Sequence, residues 1–177
     1  LGGKNMKKIL HLTVFLALIA ALAGGALAFA NNMTAPVIAA NELAAEKETL
    51  KEIYPDVSDD AFVKVKDNAS KTIEKIFEVE GKGYIFKMKV TGYKDGTSYL
   101  VALNKDGSVY DYVAISNGDT QGLGSKVTEK PFRESLKGKD AAGEEILDDT
   151  ITGATVSSKP VIEGIREAAK YQAENLK

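Results

Sequence analysis

Apolar positions fall into three rhythms along the chain. The first is unbroken: Ile9 to Ala30 carries no charged residue, and at roughly 22 residues it is long enough to span a bilayer. The second is helical. After a polar break at Asn31 to Pro36, Ala39, Ala40, Leu43, Ala44, Leu50 and Ile53 recur at helix spacing, with Glu42, Glu46, Lys47, Glu48, Lys51 and Glu52 between them. Pro55 disfavours helical geometry in Tyr54 and so ends this helix. The third rhythm is the two-residue alternation of strands, in Gly83 to Tyr93 around Tyr84, Phe86, Met88 and Val90 and in Val109 to Ile115. Tyr99 to Leu103 between them is an apolar run of strand formers. Lys94-Asp95-Gly96 and Asn104-Lys105-Asp106-Gly107 read as hairpin turns, so these strands form an antiparallel meander.

The flanks are less regular. Ser58-Asp59-Asp60 caps a short turn through Val65, and Ala69 to Val79 fits a strand or a helix. Thr128, with Pro131 following, starts a helix to Leu136. A last helix runs to Leu176 with Val161, Ile162, Ile165, Ala168 and Ala169 on its buried face. Pro160 fits the first turn of a helix, which puts the N-cap at Ser157 or Ser158. The fold expected is α+β: an antiparallel sheet with packed helices, preceded by one N-terminal transmembrane helix. The divisions expected are a cytoplasmic N-terminus (1–8), an anchor (9–30), a juxtamembrane helix and connection (31–57) and an extracytoplasmic domain (58–177).

Charge sets the orientation. Lys4, Lys7 and Lys8 precede the apolar run, which predicts a cytoplasmic N-terminus and a single pass across the cell membrane. Met6-Lys7-Lys8 reads as a natural start. The competing reading is a cleaved signal peptide, since Ala26-Leu27-Ala28 and Ala28-Phe29-Ala30 are small-x-small. The length of the run favours a retained anchor.

Composition then narrows the chemistry. The 177 residues carry a formal net charge of −2, with no basic field for nucleic acid. Cysteine is absent and histidine occurs once, at His11 inside the apolar run. Thiol catalysis, thiolate-held clusters, a His-centred triad and an ordinary His-rich zinc site are excluded. Any redox chemistry must come from a borrowed group.

Two stretches offer places for one. Asn117 to Lys126 contains Thr120, Gly122, Leu123 and Gly124, where glycines permit close backbone approach. Asp149-Thr150-Ile151-Thr152-Gly153-Ala154-Thr155-Val156-Ser157-Ser158 leads into the last helix, whose N-terminal N–H groups form a site for a phosphate. Its bland reading is helix capping.

Together these stretches resemble a known family. Asp149-Thr150-Ile151-Thr152-Gly153-Ala154-Thr155 matches its flavinylation pattern of Asp, two variable residues, Ser or Thr, then Gly-Ala-Thr. Gly122-Leu123-Gly124 matches its Gly-Leu-Gly loop, although Asp119 and Gln121 depart from the Glu-Thr-Pro that often precedes it. The chain resembles the FMN-binding domain shared by the G subunit of Rnf electron-transport complexes and the C subunit of sodium-pumping NADH:quinone oxidoreductases. The resemblance covers nearly everything from Ile9 onward.

It implies FMN joined to Thr155 through a phosphoester and attached by a dedicated flavin transferase. Asp149 would orient the loop or belong to the transferase's recognition signal, and Thr152 belongs to the same motif. Gly153 and Ala154 would leave room beside the attachment oxygen, Ser157 and Ser158 would receive the phosphate, and Leu123 with its flanking glycines would lie against the flavin ring. Tyr84 is a further candidate for lining it. The implied function is a membrane-anchored electron carrier, a redox subunit of an ion-translocating complex linking ferredoxin and NAD rather than an independent enzyme. Its partners would be the other subunits of that complex. The alternatives are a free-standing extracytoplasmic flavoprotein and, from another class, a non-flavin anchored binding module.

Overall fold

The computed structural model describes residues 2–176, without the side chains of 2–5, 36, 38–47 and 59. The chain divides into two compact units, 1–46 and 47–177. Helix α1 spans Gly2–Ile53. Within it Met6–Ala35 is long and apolar enough to cross a membrane. The expected break at Asn31 to Pro36 does not interrupt the helix. Asn and Thr are weak helix formers rather than breakers. The Thr34 hydroxyl also donates to the Ala30 carbonyl at 3.0 Å, keeping its polarity within the helix. The side chains of Ala39, Ala40, Leu43 and Ala44, assigned above to an apolar face, lie outside the described residues.

The second unit is built on a five-stranded antiparallel meander in sequential order: β1 (Phe62–Asp67), β2 (Ile73–Val79), β3 (Gly83–Val90), β4 (Thr97–Asn104) and β5 (Val109–Asn117). Alternation sorts each strand between two faces. Ile76, Phe86, Val101 and Tyr112 pair across β2 to β5 and form one buried row. Phe77, Ile85 and Ala102 form a row on the other face.

Each face has its own cover. On the first, α2 (Lys130–Leu136) contributes Phe132 and Leu136. The longer α3 (Thr155–Asn175) contributes Val161, Ile162, Ile165, Ala168 and Ala169. The second, smaller core is closed by Leu50, Ile53 and Tyr54, the end of α1 and the residue after it.

The α+β reading holds, with four local corrections. Residues 62–67 are an edge strand rather than part of a capped turn, as the alternation Val63-Lys64-Val65-Lys66 allows, with a bulge between Lys64 and Lys66. Residues 73–79 resolve to a strand. β3 stops at Val90, which frees Tyr93 for the turn into β4. Thr128 ends a 3-10 turn (Gly124–Thr128) instead of capping α2, whose N-cap is Glu129. The fourth correction concerns α3. It begins at Thr155, so neither Ser157 nor Ser158 is its N-cap, and Pro160 sits beyond the first turn. There it withholds the N–H that would have met the Val156 carbonyl.

Candidate functional site

The approach to α3 is a turn with few degrees of freedom. The Ala154 N–H donates to the Ile151 carbonyl at 2.9 Å, closing a four-residue turn. Its third position, Gly153, has φ of +82°, which the turn requires and a side chain would resist. Ser158 fastens the turn from inside the helix. Its buried hydroxyl accepts the Ile151 N–H at 3.0 Å and donates to the Ala154 carbonyl at 3.1 Å. Thr152 and Thr155 are both exposed.

One turn earlier, Asp149 is held by an ion pair. Lys139 Nζ donates to its Oδ2 at 2.7 Å, and the Asp149 side chain is only 9% exposed. This neutralises a carboxylate just ahead of the α3 N-terminus. Lys139 carried no signal in the sequence pattern.

The first turn of α3 is polarised for an anion. The Ser157 and Ser158 N–H groups both donate to the Ala154 carbonyl, at 3.0 and 2.9 Å. The N–H groups of Thr155 and Val156 find no partner among the described residues. They therefore stand free at the positive end of a 21-residue helix, beside the Thr155 hydroxyl. The amides available to a phosphate are those of Thr155 and Val156, not those of Ser157 and Ser158, the residues expected to receive it.

Next to them lies a cleft of about 430 Å³ lined by Tyr93, Thr120, Leu123, Gly124, Gly153, Ala154, Val156 and Ser157. Thr120, Leu123, Gly124, Gly153, Ala154 and Ser157 thus line one cleft. Gly122, Asp149, Thr152, Thr155 and Ser158 do not line it, and Asp149 lines a separate pocket with Lys126, Glu129 and Phe132. Tyr84 is half-buried against the first core and takes no part. Tyr93 (68% exposed), Leu123 (50%) and Val156 (62%) give the cleft an apolar rim. Tyr93 and Val156 were not singled out by the sequence pattern.

The floor depends on close approach. A Cβ on Gly124 would stand 2.5 Å from Asp119 Cβ and 2.5 Å from Ser157 Oγ. The Asp119 carboxylate is deep in this contact, and its Oδ1 accepts the Lys94 N–H at 2.8 Å. Burial opposes its ionisation, but the Ser157 hydroxyl and the backbone N–H groups of Lys94, Tyr93 and Gly96 outweigh it and hold Asp119 below the usual carboxylate range.

The residues fit FMN on these observations. The cleft falls in the size range of small-molecule sites, its rim suits a flat apolar ring, and the free N–H pair suits a phosphate.

Comparison with known proteins gives the same result. Residues 92–170 match the FMN-binding domain family, and residues 4–53 match the RnfG N-terminal region. The chain is 29% identical to the G subunit of the proton-translocating ferredoxin:NAD(+) oxidoreductase complex of Clostridium ljungdahlii, over 94% of this chain and 93% of that protein. It is 29% identical to the G subunit of the Na(+)-translocating ferredoxin:NAD(+) oxidoreductase complex of Acetobacterium woodii, over 91% and 90% respectively. The G subunit of the ion-translocating oxidoreductase complex of Methanosarcina acetivorans is 24% identical, over 94% and 96%.

Proposed function

Because residues 92–170 carry an FMN-binding domain and the chain resembles the G subunits of Rnf-type complexes, we propose that it is the flavin-carrying G-type subunit of an ion-translocating ferredoxin:NAD oxidoreductase. FMN is joined to the Thr155 hydroxyl by a phosphoester, installed by a flavin transferase. The observation that carries the attachment site is the exposed Thr155 at the α3 N-terminus, with two unpaired N–H groups beside it and the cleft adjoining.

The chain's own residues supply position and electrostatics. The Thr155 and Val156 amides hold the phosphodiester charge, and the Lys139–Asp149 pair removes a repelling carboxylate. Gly153 and Ala154 keep side-chain bulk away from the attachment oxygen. Leu123, Val156 and Tyr93 cover the ring and exclude water from it. The bound flavin supplies the capacity to take up and release electrons one at a time. Similarity that runs nearly end to end in this chain and in its relatives supports a complex subunit over a free-standing carrier.

The anchor is retained, its N-terminus cytoplasmic and the FMN domain outside. The lysines ahead of the apolar run support this orientation. The absence of cysteine offers a clean test. Cysteine introduced at Lys105 should react with a membrane-impermeant maleimide on intact cells, and cysteine at Lys7 should react only after lysis. The reverse pattern would overturn the orientation.

Attachment is tested by co-expression with a flavin transferase and a denaturing gel under ultraviolet light. The wild-type band should fluoresce and the Thr155→Ala band should be dark. A dark wild-type band, or a bright Thr155→Ala band, would sink the assignment.

A further inference from the structure

The aromatic wall of the cleft stands on a turn. Tyr93 belongs to residues 91–96, which join β3 to β4 and line the cleft together with residues of α3. What fastens this turn is the Asp119 carboxylate, 25 residues away in sequence from the Lys94 N–H that it accepts. The N–H groups of Tyr93 and Gly96 and the Ser157 hydroxyl also face it. The contact is tight: a Cβ on Gly92 would stand 2.1 Å from Asp119 Oδ2. Asp119 is itself oriented, since its N–H donates to Asn117 Oδ1 at 3.1 Å while Asn117 Nδ2 donates to Thr97 Oγ1 at 2.8 Å. The Gly118 N–H donates to the Gly96 carbonyl at 3.0 Å. The start of the Gly-Leu-Gly loop is therefore tied to the β3–β4 turn at Lys94 and Gly96, while the buried Asp119 Oδ2 has no hydrogen-bond partner among the described residues.

We propose that Asp119 is a positioning residue that holds Tyr93 as the aromatic wall of the cleft, so that the flavin ring packs against the Tyr93 phenol. This rests on the FMN reading above. The physical case is that an isolated turn would not keep a 68% exposed tyrosine in one place. The bond from the Lys94 N–H, next to Tyr93 in the chain, does so, because it is charge-assisted. Asparagine would hold the turn less firmly, because its neutral amide oxygen lacks the charge that strengthens the bond from the Lys94 N–H.

A phenol in contact with an excited flavin quenches its emission, which gives a readout independent of turnover. Full-length protein co-produced with flavin transferase would be compared by flavin fluorescence lifetime and by brightness per bound flavin, the flavin being counted by absorbance after denaturation. Tyr93→Leu should brighten the flavin several-fold. Asp119→Asn should act in the same direction. In the double variant, Asp119→Asn should add nothing, because its effect passes through Tyr93. Tyr110→Leu, which removes a tyrosine stacked on Tyr54 at 4.4 Å and absent from the cleft, should leave emission unchanged. If Asp119→Asn fails to fold, Gly92→Ala disturbs the same carboxylate and should brighten the flavin likewise. A loaded wild type whose emission is indifferent to Tyr93→Leu overturns this proposal and leaves the FMN reading standing. So does an Asp119→Asn effect that adds to Tyr93→Leu. A wild type without flavin overturns both.

Discussion

Ser158 shows how one side chain sets the geometry of the loop ahead of α3. Its hydroxyl is fully buried and serves the Ile151 N–H and the Ala154 carbonyl at once. The motif residues Thr152 and Gly153 lie between those two positions. Ser158→Ala removes the acceptor and leaves the half-buried Ile151 N–H unpaired, which costs about 1–2 kcal/mol. The expected outcome is a matching loss in urea unfolding followed by far-UV circular dichroism, together with a lower yield of covalent flavin. An unchanged yield at reduced stability would mean that the loop reaches its shape without this serine. Thr155 behaves in the opposite way: it is exposed and unpacked, so Thr155→Ala should leave stability within about 0.5 kcal/mol while abolishing attachment.

At the level of elements, α2 is held to the sheet and to the end of α1 by one arginine. Arg133 Nε and Nη2 donate to the two oxygens of Asp111 on β5 at 2.8 and 2.7 Å, and Nη1 donates to Glu52 at 2.7 Å. Burial opposes ionisation of Asp111, but Arg133, the Tyr112 N–H and Lys137 outweigh it and hold its carboxyl below the usual value. A depressed folded-state value means that this stabilisation is complete above the unfolded carboxylate value of about 3.9 and is lost as pH falls through the lower folded value. Arg133→Met should cost about 2–3 kcal/mol at pH 7, less than is usual for a broken buried pair because Lys137 remains 3.3 Å from Asp111. It should also shrink the difference between urea midpoints at pH 7 and pH 3; an unchanged difference would show that Asp111 is not the group being titrated. The elements themselves were unevenly legible. β3, β4 and β5 announce themselves because their alternation or apolar runs end at glycine turns. β1 is weak because an edge strand buries little: Val63-Lys64-Val65-Lys66 alternates, but the run is short and follows the cap-like Ser58-Asp59-Asp60. Pro160 places the start of α3 too late, because tertiary packing overrides what is otherwise a strong local signal. In the site, the residues next to Gly153 were visible as a local motif. Tyr93 and Lys139 were not, since each acts through a partner on another segment that no local pattern names.

For the whole molecule, the division at 46/47 places Leu50, Ile53 and Tyr54 with the folded unit, although Leu50 and Ile53 belong to the helix that contains the membrane-length segment. These three are at most 3% exposed and close the second core. A chain of residues 47–177 should fold cooperatively in solution. One begun at Ser58, where composition alone would divide the protein, loses three core side chains worth about 2 kcal/mol each and bares the sheet face they covered. Size-exclusion chromatography and circular dichroism should find the first monomeric with a sharp thermal transition and the second aggregated or without one. Equal behaviour would remove the end of α1 from the structural account. The order of the strands carries a last consequence, one of timing. Every strand pairs with its immediate predecessor, so the meander can form progressively as the chain emerges from synthesis. Thr155 opens the element that follows all five strands, and that element supplies Val156 and Ser157 to the cleft. A chain cut short before Thr155 can therefore hold a complete sheet and still lack the hydroxyl proposed above to carry the flavin.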